Sequence, residues 1–364
     1  MTTGIGLGLS QRFYEHLVAP LLREQFGDLT YAAARIGIGS EVLGYDTALS
    51  ADHDYGPCVQ VFLPEADFSS TAPEIMQAFD KGLPARFEGW DIRYPTNVRP
   101  PPTGVSEGLL GSDHGVELYT LPAWCNRFLG RQITSELTNR EWLFYPEQFF
   151  LMITGGAVFR DDQGHLTALR SRLAYFPRDV WLYKLAAQWG RIVEERAYVG
   201  RTADVGDEIG SRVIAARMVG NIMRLAMLIE RRYAPYPKWF GSAFAGVSIA
   251  GELSPLLARA MSTENWQERE ATLLDACCLL AQLQLDRQIP GAITPKVSSL
   301  HARPYRFVDS VEIAESLRGA IVDEDLRRLR EFGAADQFIV ANFVLAVPAF
   351  SRAAAEGLFD ADLR

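Results

Sequence analysis

The sequence predicts an α+β protein in which a small region of mixed strands and helices precedes a larger, mainly helical region. Three segments in the first 145 residues have the alternation or the β-branched content of strands: 58–63, 85–94 and 115–120. Beyond residue 165 the apolar residues recur instead at the spacing of amphipathic helices. A length of 364 residues is enough for about two domains. We therefore predict one domain over 1–145 and a second over 146–364.

Several helices can be placed from their apolar periodicity. In the first region we expect a helix over 9–26, where Phe13 and Leu17 share one face, and a short helix over 72–82. A loop is expected over 95–104, which contains three consecutive prolines. The helices expected in the second region lie at 178–199, 207–232, 251–262, 265–287, 310–318 and 323–332.

Composition and charge exclude several classes of protein. With 36 lysines and arginines against 45 aspartates and glutamates, the formal net charge is −9, which disfavours binding to long nucleic acid. No apolar run is long enough to cross a membrane, and the first residues lack the pattern of a secretory signal. The four cysteines form no CxxC pair, as expected in a reducing compartment. We expect a cytoplasmic protein, a monomer or a homodimer, that binds neither membranes nor long nucleic acid.

The charge is unevenly distributed along the chain. Residues 165–240 contain 13 lysines and arginines and 7 aspartates and glutamates, so this segment carries +6 within an acidic protein. Such a segment is suited to a small anionic ligand such as a triphosphate. The alternative is a set of solvated helix faces with pairs such as Arg191 and Glu195. The sequence leaves both interpretations open.

Three acidic residues in the first region are arranged as a metal site would need. Asp52 and Asp54 lie just before the strand predicted at 58–63, and residues two apart in an extended chain point to the same side. Glu117 lies between two apolar residues on the strand predicted at 115–120. Carboxylates gathered on one face repel one another unless cations neutralise them, and Mg²⁺ accepts few carboxylates together with water and phosphate oxygens. Taken alone, Asp-x-Asp is also ordinary turn composition.

A glycine and a serine stand upstream of the acidic pair. Gly39 and Ser40 follow an apolar run at 31–38, and eleven residues separate them from Asp52. A glycine lets backbone N–H groups approach a triphosphate closely, and a serine hydroxyl can donate to it. A helix that begins there would add the positive end of its dipole. The turn and the acids together predict a nucleotide site.

The order of these motifs resembles that of the nucleotidyltransferase superfamily, whose members share a polymerase-β-like palm. The shared pattern is Gly-Ser, a gap, Asp-x-Asp, and then a hydrophobic–acid–hydrophobic triplet. Most of the chain, from about residue 9 to residue 344, is also similar to an uncharacterised bacterial family, the domain of unknown function DUF4037. This second resemblance lies in three stretches: IGIGSEVLGYDTALSADHDYGP, GAVFRDDQGHLTALRSRLAYFPRDVW and YVGRTADVGDEIGSRVIAARMVGNIMRL.

The resemblance to the superfamily implies a small palm with a mixed sheet and a magnesium-dependent transfer of a nucleotide. Asp52, Asp54 and Glu117 match the acids that hold the metal, with two Mg²⁺ ions expected, and they are the implied catalytic residues. Gly39 and Ser40 match the turn that binds the triphosphate of an NTP co-substrate. The implied reaction moves a nucleoside monophosphate to a hydroxyl group of an acceptor and releases pyrophosphate.

Two features depart from the superfamily pattern. His53 stands where a hydrophobic residue is usual between the two aspartates. The third acid lies about sixty residues downstream of the pair. Glu88 and Asp91, on the preceding predicted strand, are therefore alternatives to Glu117.

Basic residues after the palm complete the implied nucleotide site. In related enzymes such residues on the first long helix often hold the β- and γ-phosphates, and Lys184 has this position. Arg172 is expected to contact the nucleotide from the other side of the cleft. The alternative for Lys184 is a solvated lysine on a polar helix face.

No short motif encodes the acceptor. The acidic total favours a small hydroxylated molecule over an RNA. Two alternatives are open: a transferase that acts on a protein or tRNA end, and a catalytically silent palm that binds a nucleotide as a sensor or as a subunit of a complex.

Overall fold

The computed structural model describes residues 5–47, 56–93, 109–110, 113–131, 136–301 and 303–362. Over these residues the protein is of the mixed α+β class, with a small mixed sheet and many helices, as the sequence predicts. The chain divides into two compact units. The first unit comprises 1–136 and 148–174, and the second unit comprises 137–147 and 175–364.

The first unit contains a five-stranded sheet and a separate two-stranded one. Its strands are β1 (Ala32–Arg35), β2 (Val59–Phe62), β3 (Arg86–Phe87), β4 (Trp90–Asp91), β5 (Leu109–Leu110), β6 (Val116–Tyr119) and β7 (Ala157–Asp161). Its helices are α1 (Ile5–Phe13), α2 (Ala19–Phe26), α3 (Ser40–Leu43), α4 (Glu65–Gly82), α5 (Leu121–Leu129), α6 (Glu147–Thr154, whose first residue is grouped with the second unit) and α7 (His165–Arg172). A π-helical turn, Tyr14–Val18, joins α1 to α2, which confirms the helix predicted over 9–26.

The five-stranded sheet has the strand order β5-β6-β2-β1-β7. β2 and β6 are parallel, and the other neighbouring pairs are antiparallel. In this register Ala34 pairs with Gln60, and Gln60 pairs with Glu117. Because residues that pair across neighbouring strands point to the same face, Gln60 and Glu117 share one face of the sheet near the end of β1.

The opposite face of this sheet is covered by helices. Ala33, Val61 and Leu118 lie on that face, and they are fully buried in one apolar core with side chains of α1, α2 and α4. Successive residues of a strand point to opposite faces. The apolar core therefore occupies one side of the sheet, and the polar side chains of Gln60 and Glu117 are directed to the other.

β7 explains why the units do not follow the predicted division at residue 145. This strand lies beyond that position in the sequence, yet it pairs with β1 at the edge of the sheet. Arg170 of α7 binds the residues just before β7, since its guanidinium donates to the carbonyl oxygens of Ile153 and Gly155 at 2.7 Å each. Residues 148–174 thus belong to the first unit.

The second unit is built mainly from helices. They are α8 (Arg178–Glu195), α9 (Tyr198–Asp204), α10 (Glu208–Ile229), α11 (Pro237–Phe244), α12 (Ala250–Ser262), α13 (Trp266–Asp286), α14 (Ser310–Gly319), α15 (Glu324–Arg328), α16 (Ala335–Phe338), α17 (Asn342–Ala346) and α18 (Pro348–Asp362). A 3₁₀ turn, Glu141–Phe144, and a hairpin of β8 (Val297–Ser299) and β9 (Arg306–Val308) complete it. α8 packs against α10 and α14, and α13 packs against α10 and α12. Among the helices of the described residues, none is both long enough and apolar enough to cross a membrane.

Most of the predicted helices and strands are confirmed, and the exceptions have physical reasons. The helix predicted over 72–82 begins earlier, at Glu65, and contains Pro73 in its interior. The strand predicted over 85–94 is instead the short hairpin β3–β4, because the chain turns at Glu88, where φ is 49°. The hairpin β8–β9 was not predicted, since strands of three residues are too short to show a periodicity.

Candidate functional site

Part of the predicted site lies outside the described residues. Asp52 and Asp54, the predicted metal-ligand pair, are there together with His53, and so is the loop predicted over 95–104. Within the described residues, no group of three or more histidine, cysteine, aspartate or glutamate side chains is arranged to hold a metal ion. The described part of the candidate site consists of residues that flank this pair in the sequence and of residues on the strands of the sheet.

The turn that contains Gly39 and Ser40 follows β1 directly. α3 begins at Ser40, and Gly39 precedes it with a φ of 147°, a backbone conformation that favours glycine. A Cβ atom at Gly39 would lie 2.5 Å from Oε1 of Glu41 and 2.7 Å from Nη2 of Arg35. The turn therefore has no space for a side chain at this position, and Ser40 is held, half-buried, at the first residue of the helix.

A buried ion pair fixes the shape of this turn. The guanidinium of Arg35 donates to the carbonyl oxygens of Ile36 (2.9 Å) and Ile38 (2.8 Å), and it also binds the carboxylate of Glu41. The side chains of Arg35 and Glu41 are only 2% and 5% exposed, so the pair is largely removed from solvent. Because it holds the carbonyl groups of the turn on one side, the pair sets the direction of the backbone into α3.

Replacing Gly39 with alanine is expected to deform this turn. The added Cβ would meet the Arg35–Glu41 pair, and we expect a loss of about 3 kcal/mol of stability. Gly44 offers a matched control, because its φ is also positive, at 75°, but a Cβ atom there would meet no neighbouring group within 4 Å. Gly44→Ala is expected to lose about 1–2 kcal/mol. Urea unfolding measures both, and equal losses would contradict the role given to the ion pair.

Glu117 lies at the middle of β6 and is half-buried. Its Oε2 accepts a hydrogen bond from Nε2 of Gln60, at 3.3 Å. Oε1 of Gln60 in turn accepts from the backbone N–H of Ile36, at 3.1 Å. A chain of hydrogen bonds thus runs from the turn that contains Gly39, through β2, to the carboxylate on β6.

The chain that enters β2 lies in close contact with the chain that enters β6, parallel to it. The N–H of Val59 donates to the carbonyl oxygen of Gly115 at 2.8 Å. A Cβ atom at Gly115 would lie 1.9 Å from the carbonyl oxygen of Pro57, so only a glycine allows this approach. The sequence that follows Asp54 therefore enters the sheet directly beside the strand that carries Glu117.

The two alternatives for the third acid are located elsewhere. Glu88 and Asp91 belong to the β3–β4 hairpin, which is separate from the five-stranded sheet. Arg12 donates to Glu88 through Nε (2.9 Å) and Nη2 (2.7 Å), and this bond holds the pKa of Glu88 below its ordinary value. Asp91 accepts from Arg86 at 2.7 Å. Each of the two carboxylates is thus paired with an arginine at an exposed position.

The alternative interpretation of Lys184, a solvated lysine on a polar helix face, is wrong. Lys184 belongs to the second unit, and its side chain is 0% exposed. Its Nζ lies 3.1 Å from Oε1 of Glu147 and 3.2 Å from Oδ1 of Asp336. The resemblance implies that the ammonium group of Lys184 binds the β- and γ-phosphates, but two buried carboxylates already neutralise its charge. Arg172, by contrast, is the exposed last residue of α7 in the first unit.

Three residues of this site were not identified from the sequence. Arg35 and Glu41 form the ion pair under the turn, and Gln60 connects that turn to Glu117. Gln60 did leave a signal, because it is the polar residue within the apolar run CVQVFL. A polar side chain in such a strand is expected to have a buried partner. The sequence does not say which partner, since that depends on strand order.

Comparisons with known proteins give three results. A family model described as "Domain of unknown function (DUF4037)" matches residues 142–240, a range that includes Lys184 but neither Gly39 nor Glu117. No curated protein matches the chain. The crystal structure of a nucleotidyltransferase-like protein from Exiguobacterium sibiricum 255-15 is similar over 89% of this chain and 92% of that chain, with 12% sequence identity and a TM-score of 0.34. A TM-score of this size does not establish a common fold.

Proposed function

We propose that the protein is a magnesium-dependent nucleotidyltransferase. In this proposal it transfers a nucleoside monophosphate from an NTP to a hydroxyl group of a small-molecule acceptor and releases pyrophosphate. One observation carries the proposal. The Gly39–Ser40 turn follows β1, the carboxylate of Glu117 is on β6, and hydrogen bonds through Gln60 of the intervening strand β2 join the two. A phosphate-binding turn beside an acid is what this chemistry requires.

The turn would bind the triphosphate of the NTP. The hydroxyl of Ser40 can donate to phosphate oxygens. Gly39 would present backbone N–H groups without a side chain of its own, although the Arg35–Glu41 pair fills the side on which its Cβ would lie. α3 has only four residues, Ser40–Leu43, so its dipole contributes less than a long helix would. Binding would therefore depend on the N–H groups and the hydroxyl of the turn, whose shape the Arg35–Glu41 pair maintains.

Asp52 and Asp54 would join Glu117 as the metal-binding acids. Asp54 stands three residues before Pro57 in the sequence, and three residues of chain span at most about 11 Å. Pro57 itself contacts the start of β6. A set of carboxylate oxygens fits Mg²⁺, which when bound would neutralise the triphosphate and lower the pKa of the acceptor hydroxyl.

In this proposal Glu117 takes up the proton, and the site holds the acceptor oxygen in line with the bond that breaks. The acceptor oxygen would form a bond to the α-phosphorus while the bond from that phosphorus to the bridging oxygen of pyrophosphate breaks. Glu117 is half-buried, and its carboxylate is suited to accept the proton that leaves the hydroxyl. Lys184 is left out of this proposed site because its charge is matched by Glu147 and Asp336. Arg172 is retained as an exposed cation of the first unit that can contact the nucleotide.

The proposal is tested by incubating the protein with each radiolabelled NTP, Mg²⁺ and an extract of cell metabolites. We expect label transfer with release of pyrophosphate, and we expect Asp52→Asn to abolish both this transfer and Mg²⁺-dependent NTP binding. Asp28→Asn, at an exposed position of the first unit, is the matched control and should behave as the unsubstituted protein. Unchanged NTP affinity in the Asp52 variant would contradict the proposal. Saturable binding without turnover would indicate the nucleotide sensor instead.

A further inference from the structure

Gln60 is a buried amide in the centre of the sheet. β2 is the third of five strands, and Gln60 is 2% exposed. A buried amide destabilises a protein unless both of its ends are hydrogen-bonded. The neighbouring residues on the strand, Val59 and Val61, are apolar and fully buried on the opposite face of the sheet.

Both ends of this amide have partners, and the partners are of opposite kind. Oε1 accepts the backbone N–H of Ile36, and this bond determines which end of the amide faces β1. The NH₂ end is consequently directed toward β6, where it donates to Oε2 of Glu117. A donor at this position fixes the rotation of the Glu117 side chain.

We propose that Gln60 is a positioning residue that fixes the Glu117 carboxylate relative to the Gly39–Ser40 turn. This inference rests on the proposed function, in which Glu117 binds the metal and the turn binds the triphosphate. Gln60 touches neither reacting group. It binds both Glu117 and the backbone at Ile36, and these two hydrogen bonds hold the distance between the acid and the turn constant.

The test measures metal affinity as well as activity. Mn²⁺ is titrated in the presence of each NTP, and binding is followed by electron paramagnetic resonance. Gln60→Met keeps the length of the side chain but has no polar end, and we expect a loss of about tenfold or more in Mn²⁺ affinity. Gln60→Asn keeps the amide but is one methylene too short to reach both partners, and we expect a similar loss. This second variant keeps the test decisive if the methionine variant folds poorly.

Gln284 of α13 provides a matched control. It is also a fully buried glutamine, and its Oε1 accepts from Nε1 of Trp189 at 3.1 Å within the second unit. Because Nε2 of Gln284 has no hydrogen-bond partner within the part of the chain that the structure describes, Gln284→Met should lower the thermal stability less than Gln60→Met does, and it should leave the Mn²⁺ affinity unchanged. Wild-type Mn²⁺ affinity in folded Gln60 variants would overturn the inference alone. If the unsubstituted protein binds no Mn²⁺ with any NTP, the proposed function fails first.

Discussion

Replacing Lys184 with methionine is expected to destabilise the second unit by about 3–5 kcal/mol. The substitution leaves Glu147 and Asp336 in the interior with one cation fewer than they have now. Arg224 lies near both, with Nη1 at 2.6 Å from Asp336 and at 3.7 Å from Glu147. Among the residues that the structure describes, it is the cation that remains near the two acids, and one positive charge cannot balance two buried carboxylates. Chemical unfolding measures the loss.

The partners of Lys184 explain why the loss should be large. Oε2 of Glu147 accepts the backbone N–H of Ala234 at 2.5 Å, and burial holds that carboxylate away from water. Burial by itself would raise the pKa of Asp336, but Lys184 and Arg224 hold the pKa of that carboxyl below its ordinary range. Burial raises the pKa of Glu147, and Lys184 and Arg224 oppose that rise.

An exposed ion pair supplies the control for this expectation. Lys296 and Glu312 lie 2.8 Å apart with side chains 65% and 45% exposed. Lys296→Met should therefore change the stability by less than about 1 kcal/mol. If Lys184→Met lowers the stability by as little as Lys296→Met does, Lys184 is not needed to compensate the buried charges of Glu147 and Asp336. Lys184→Met combined with Asp336→Asn should recover part of the loss, because it removes one charge of each sign.

Glu117→Gln is expected to lower the rate of nucleotide transfer by about 10²–10⁴-fold without changing the fold. The glutamine keeps the shape of the side chain, and its oxygen can still accept from Nε2 of Gln60. What it loses is the negative charge and the capacity to take a proton. Transfer of radiolabel under saturating NTP and Mg²⁺ measures the rate, and circular dichroism checks the fold.

Glu88→Gln serves as the control for this substitution and also decides between the candidate acids. Glu88 is bound to Arg12 at the β3–β4 hairpin, so its replacement should leave the transfer rate unchanged. Asp91→Asn should likewise have little effect, since Asp91 pairs with Arg86. Full activity of the Glu117 variant, together with inactivity of either hairpin variant, would assign the third acid to the hairpin.

Local patterns predicted the parts of the site that depend on local chain geometry. The alternation at 58–63 and 115–120 predicted β2 and β6. The Gly-Ser pair predicted a turn, and Gly39 does have a conformation that favours glycine. Strand order is a property of the whole sheet, however. The pairing of Gln60 with both Ala34 and Glu117 was therefore beyond prediction from any one segment.

Periodicity predicted a polar face on α8, but it did not predict whether this face is exposed to solvent. Lys184 lies on the polar face of α8, yet it is buried, and so is Gln188 on the same helix. Nε2 of Gln337 donates to the carbonyl oxygen of Lys184 and to Oε1 of Gln188, at 3.0 Å each. The periodicity of polar residues predicts which of them share a face of the helix. It does not predict whether that face is exposed to solvent, because here the covering segment contains Gln337, about 150 residues further along the chain.

The balance of buried charge in the second unit has a consequence for how this protein is synthesised. Asp336 follows Lys184 by 152 residues, and Glu147 and Arg224 also precede it. A nascent chain that has left the ribosome only as far as α14 holds both cations but one of the two anions. Its interior would carry an excess positive charge. We therefore expect the second unit to become resistant to protease only after translation has passed residue 336.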